Sequence, residues 1–157
     1  ITLMAIAMLF PITAFAQAYV QTWDLVDSGK HLDYDGNSTY MSYINTGAAT
    51  WNAYKSGVIR KDSAFVVEDV YVSDVNASNG WAGMTYSSGK IELNTYYMSG
   101  YSNSKKQNVA THELGHALGL DHSTSTDVMD AAITGHTSTQ ALSQNDKDSY
   151  DAAYNNY

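Results

Sequence analysis

His112-Glu113-Leu114-Gly115-His116-Ala117-Leu118-Gly119-Leu120-Asp121-His122 spells HExxHxxGxxH. Residues four apart on a helix lie one above the other on the same face, so His112 and His116 can aim two imidazoles at one point. Glu113, one step round, can touch a water at that point without being a ligand itself. Gly119 is a residue able to leave the helix with φ > 0, which would swing the backbone round and deliver His122 as a third nitrogen donor. Three imidazoles with one position left open are the ligand set of a catalytic zinc, with Zn–N distances of about 2.0–2.1 Å. HExxH alone also occurs on ordinary helices; the glycine and the third histidine in register make this stretch a metal site.

The element that must position these residues is a helix over 103–118. On it Val109, His112 and His116 share the cleft face, while Ala110, Leu114 and Ala117 face the core. Gly115 in mid-helix costs about 1 kcal/mol relative to alanine, a cost that close packing near the metal would explain. Upstream, Tyr19 to Val26 can form a first strand. His31 to Ser38 reads as a turn-rich loop. Its Asp33-Tyr34-Asp35-Gly36-Asn37 core offers oxygens that could hold calcium. The preferred reading is a turn ending in a Ser38 or Thr39 helix cap, because the distant bidentate glutamate of a full calcium loop is missing.

Met41, Ile44, Ala48, Trp51 and Tyr54 recur at three- and four-residue steps, which predicts a helix over 39–54 that Gly57 ends. A strand region follows at Val58-Ile59, and another over 64–75. A turn at 76–80 leads to two short strands, 81–86 and 91–95, around Ser87-Ser88-Gly89-Lys90. The stretch 131–140 is irregular. Ser143 as N-cap with Asp146 in the first turn starts a last helix running to about Tyr154. His31 and His136 stand at no ligand spacing and read as loop histidines.

The 157 residues suggest one folded domain. Ile1 to Phe10 is an apolar run, followed by Pro11 and by small residues at alternating positions, Ala14, Ala16 and Ala18. This is the pattern of a secretory signal peptide with cleavage after Ala16 or Ala18, giving a leader at 1–18 and a domain at 19–157. The run is too short, and too soon broken by proline, to be a membrane span. No cysteine is present, so neither disulfides nor a thiolate metal ligand are available. The net charge of −8 argues against nucleic acid and anionic membrane as partners. Thirteen tyrosines suit a small extracellular domain, since the ring fills a core while the hydroxyl tolerates water.

The zinc motif resembles that of the metzincin endopeptidases, and within them the chain looks most like a matrixin. Besides Gly119-Leu120-Asp121-His122-Ser123, the resemblance is carried by four stretches. These are Ala49-Thr50-Trp51-Asn52, Gly80-Trp81-Ala82-Gly83-Met84-Thr85-Tyr86, Gly89-Lys90-Ile91-Glu92-Leu93-Asn94 and Leu142-Ser143-Gln144-Asn145-Asp146. It implies a mixed α+β fold with a twisted, mostly parallel sheet carrying one antiparallel edge strand. Two long helices complete the upper lobe, and a small lower lobe holds a methionine turn and the C-terminal helix. Met129 would be that methionine, beneath the metal. Trp81, Ala82, Gly83 and Met84, on the edge strand, would bind an extended peptide by strand addition. Residues 130–137 would wall the pocket beyond the scissile bond.

Two departures stand out. Gly83, Glu92 and Asn94 occupy positions where animal matrixins place ligands of a second, structural zinc, so one zinc is expected. The last helix starts with one acid, Asp146, where the family usually has two. The function implied is a secreted, monomeric zinc endopeptidase with Glu113 as general base, acting on protein or peptide substrates. The rival is a non-catalytic secreted binding module that keeps the zinc as a structural staple, against which the presence of Glu113 speaks. A metal-scavenging or adhesive protein would carry further His or acidic clusters, which this sequence lacks.

Overall fold

Five strands order the molecule. The computed structural model describes residues 17–63 and 67–157; residues 1–16 of the expected leader and 64–66 of the expected strand over 64–75 lie outside them. The strands are β1 (Leu32–Gly36), β2 (Ile59–Lys61), β3 (Val70–Val75), β4 (Gly83–Tyr86) and β5 (Lys90–Asn94). They form one sheet in the order β2-β1-β3-β5-β4. All neighbours are parallel except β4, which runs antiparallel to β5 with Met84 opposite Glu92. The expected mostly parallel sheet with one antiparallel edge is therefore present.

Two long helices pack on this sheet, α1 (Met41–Asn52) and, after the short α2 (Thr95–Met98), α3 (Asn103–Ala117). Ile44, Ala48 and Trp51 form the buried stripe of α1, at the spacing that the sequence presents. The Trp51 indole N–H donates to the Thr111 carbonyl at 2.9 Å, which ties α1 to α3. Its ring meets Tyr150 edge-on, 5.5 Å between centroids. Tyr150 belongs to the last helix, α4 (Gln144–Tyr154), and the core closes around Leu32, Val70, Val72, Ile91, Leu93, Leu114, Leu118 and Met129. Among the described residues no helix is long and apolar enough to cross a membrane.

Three local readings change. Residues 32–36 are not a loop but β1, near the middle of the sheet. Leu32 and Tyr34 face the core, and the Tyr34 hydroxyl donates to Asn45 on α1 at 2.9 Å. Asp33, on the opposite face, is clamped by the Arg60 guanidinium of β2 through two hydrogen bonds of 2.8 and 2.6 Å. A distant partner thus turns a turn-forming residue into a strand residue. Residues 19–26 make no strand in the sheet. They run beside the segment that leaves α3, with Val20 opposite Leu120 and hydrogen bonds from Gln21 N–H to Gly119 O and from Leu25 N–H to Ala117 O. Finally, α1 starts two residues late, with Tyr40 as N-cap and no side-chain cap. Ser38 and Thr39 donate their hydroxyls to Asp74 of β3 instead.

Candidate active site

The helix that carries HExxH is α3, begun by Ser102, whose Oγ accepts from the Lys105 N–H. It ends as the glycine spacing requires. Gly119 takes φ +85°, its N–H donates to His116 O, and Leu120 N–H donates back to Gly115 O. This Schellman closure reverses the chain and sets His122 beside the helix. The ring centroids of His112 and His116 are 4.6 Å apart, those of His116 and His122 4.8 Å, and those of His112 and His122 5.2 Å.

The far nitrogens of two rings are tied back. His112 Nδ1 lies 2.8 Å from the Val128 carbonyl and His116 Nδ1 2.8 Å from the Leu120 carbonyl; the tautomer with Nδ1–H donating to these carbonyls leaves each Nε2 lone pair for a metal. The Gln21 amide reaches over from the N-terminal segment to the same Leu120 carbonyl. Burial holds His112 neutral, its ionisation lowered to about 3, and burial lowers His116 as well. Neutral imidazole is the form that binds metal. One ligand atom from each of the three histidines lies within 4.8 Å of the others, and His116 Nε2 is 3.2 Å from His122 Nε2. Two nitrogens on one tetrahedral zinc stand about 3.3 Å apart. The donor set fits the ion.

Met129 is buried against α3 at Gly115, between the two helix histidines in the sequence. A Cβ on Gly115 would stand 2.3 Å from its Sδ and 2.9 Å from the Trp51 ring, so the glycine is where helix, methionine and tryptophan close on one another. The loop bearing Met129 is bound at both ends. Ser123 N–H donates to Met129 O. Asp146, at the start of α4, accepts Val128 N–H and Met129 N–H at 2.9 and 3.1 Å. Ser143 and Asp146 also form the expected cap of α4, here a reciprocal capping box. Asp127 is drawn upward by burial, but hydrogen bonds, among them those from Thr124 N–H and Oγ1 and from the Asn145 amide, outweigh that and hold it at about 2.

Glu113 lies in the same cleft, buried, and burial pushes its carboxyl up to about 7. Thr85 Oγ1 of β4 is 2.7 Å from its Oε2 and 2.9 Å from its carbonyl oxygen. The cleft encloses about 410 Å³. One wall is Trp81, Ala82, Gly83, Met84 and Thr85, and the floor is Val109 with the histidines and Glu113. Ala131, Ile133 and Thr134 form the opposite wall, within the stretch expected there. Among the described residues no lysine or arginine lines it.

The structure thus brings together Glu113, the three histidines, Met129 and the four edge residues singled out from the sequence. His31 and His136 stay outside; His136 Nε2 is 2.8 Å from Asp130 Oδ2, a neighbour in its own loop. Four contributors went unseen. Gln21 and Thr85 carry no local signal. Asn108 pins the stretch just after the wall through Ser138 O and Gln140 N–H, both at 2.9 Å. Asp146 was legible only as a helix-start acid, not as the anchor of the methionine turn.

A comparison with curated proteins finds no match. Among solved structures, the chain is similar to archaemetzincin from Methanopyrus kandleri, with a TM-score of 0.57 and 12% sequence identity over 83% of this chain and 99% of that one. At that identity the likeness shows the metzincin-like fold. The family model described as Matrixin matches residues 13–155, nearly the whole chain. With the motif, the fold and the family match in agreement, the chain belongs to the matrixins, a family of zinc metallopeptidases.

Proposed function

We propose that this chain is a secreted endopeptidase that hydrolyses internal peptide bonds of proteins or peptides, with Glu113 as general base. The observation that carries the reading is the meeting of three elements in one cleft: a converged histidine triad, a buried carboxyl and an unpaired strand edge. Export is supported by the leader-like run at 1–18.

His112, His116 and His122 would hold one zinc. Bound there, the ion supplies Lewis acidity and a water with a pKa lowered towards about 7. Glu113 accepts the proton of the attacking water and delivers it to the nitrogen of the leaving amine. A carboxyl whose pKa lies near neutrality is suited to both halves of that transfer, because neither protonation state is strongly preferred. β4 is the outer strand on the cleft side of the sheet, β2 being the other edge. The hydrogen bond from Asn94 N–H to Ala82 O makes residues 82 and 94 a bonded pair, so 84/92 and 86/90 are bonded as well. Gly83 and Thr85 then point their backbone N–H and C=O groups to the open side, where an extended peptide can add as a further strand.

A binding module using zinc only as a staple would gain nothing from a buried carboxyl beside the triad. The test is hydrolysis of a quenched peptide library by the chain from residue 19, abolished by a chelator and restored by zinc. Glu113→Ala should keep one zinc per chain and lose roughly 10³-fold in kcat. His122→Ala should lose the zinc. Turnover by Glu113→Ala near the parent rate would remove Glu113 from its role, and an inert zinc-loaded parent would favour the binding module.

A further inference from the structure

Glu113 is not held by α3 alone. Gly83 and Thr85 are two residues apart on β4 and so face the same side of the sheet, which here is the side of Glu113. Thr85 Oγ1 hydrogen-bonds Oε2, and among the described residues it is the one side chain bonded to this carboxyl. Gly83 leaves the room for the other oxygen: an added Cβ would stand 2.6 Å from Oε1 and 2.7 Å from Cγ. Each of the two strand positions therefore governs one oxygen of the same carboxyl. The backbone groups of these same residues are the ones left free on the sheet edge.

We propose that Thr85 is a positioning residue for Glu113, fixing its carboxyl in the space that Gly83 leaves, so that the surface that aligns a peptide also sets the place of the proton acceptor. This rests on the reading of Glu113 as general base. The hydroxyl is the working group. It can donate to the carboxylate, or accept from the protonated acid while donating to the Glu113 carbonyl, so contact survives proton transfer. Serine can supply the same group. Valine has threonine's shape without it and leaves the carboxyl free to swing.

The test compares Thr85→Val, Thr85→Ser and Gly83→Ala with the parent. The chain contains three glutamates, Glu68, Glu92 and Glu113. A protein labelled with carbon-13 at the glutamate carboxyl therefore gives a spectrum simple enough to follow, and the Glu113 signal is identified by its loss in Glu113→Gln. The Glu113 signal should move in Thr85→Val and in Gly83→Ala, and stay in Thr85→Ser, with zinc and without it. In the zinc-loaded enzyme Thr85→Val should lose on the order of 10- to 100-fold in kcat with KM within about threefold, and Thr85→Ser should stay near the parent. An unmoved signal in Thr85→Val, a loss confined to KM, or a serine variant as impaired as valine overturns the proposal. If Thr85→Val fails to fold, the signals of Gly83→Ala and Thr85→Ser decide by the same criteria. Should Glu113→Ala itself remain active, the general-base reading fails, while the carboxyl signal still reports whether Thr85 holds that side chain.

Discussion

Gly115 sits in mid-helix because two side chains, Met129 and Trp51, meet where its own would be. Alanine there would gain about 1 kcal/mol of helix propensity. Against this, its methyl would press on the Met129 sulfur and on a rigid edge of the Trp51 ring, both in the core. Overpacking of this kind costs about 1–3 kcal/mol. Gly115→Ala should therefore lower unfolding free energy by up to about 2 kcal/mol in a denaturant titration. A variant more stable than the parent would mean that the space above Met129 is not tight. Gly83 answers to the same logic on the other side of α3, with the Glu113 carboxyl as the neighbour that needs the room.

The segment between α3 and α4 contributes the third histidine and the buried methionine, yet it contains no α-helix and no strand of the sheet. Its order comes from side-chain anchors, Asp127 within the loop and Asp146 from α4. Asp127 has its folded pKa lowered to about 2 from an ordinary 3.8. A carboxyl with a depressed folded pKa contributes stability that is fully present above the unfolded value and is lost as pH falls through the folded one. The Asp127 contribution should thus be complete above about pH 4 and fade towards pH 2, amounting to about 2 kcal/mol. Asp127→Asn should be destabilised by about that amount near neutrality, with the gap to the parent closing on acidification. Unfolding curves at several pH values check this; a gap independent of pH would mean that the loop is held by shape and not by charge.

At the scale of the molecule, the site joins parts that are far apart in the chain. The 19–25 segment lies along the exit of α3, β4 holds Glu113, and α4 holds the methionine turn. Metal should act as the clasp across the last of these joints, because His122 reaches the helix histidines through an exposed stretch. A ligand that binds only the folded state adds about 4 kcal/mol at a thousandfold excess over Kd. Zinc removal should lower Tm and strip hydrogen-exchange protection selectively from residues 119–130, leaving β1 and β3 protected. Uniform loss across the sheet would mean that the metal supports the whole fold and not this loop.

What could be read from residue order alone was local in its physics. The i, i+4 histidines of α3, the glycine that closes it, the Trp51 stripe of α1 and the Ser143–Asp146 cap of α4 involve neighbours within a turn or two. The chemistry of the metal site was legible for that reason. The tertiary structure alone decided that Asp33 lies in an inner strand, where Arg60 partners its carboxylate. It decided also that Ser38 and Thr39 serve Asp74 instead of capping α1, that residues 19–26 follow the exit of α3, and that Thr85 meets Glu113. Those partners are 27 to 99 positions apart. Contacts over such distances depend on the whole chain's packing, and leave no mark in any one stretch of it.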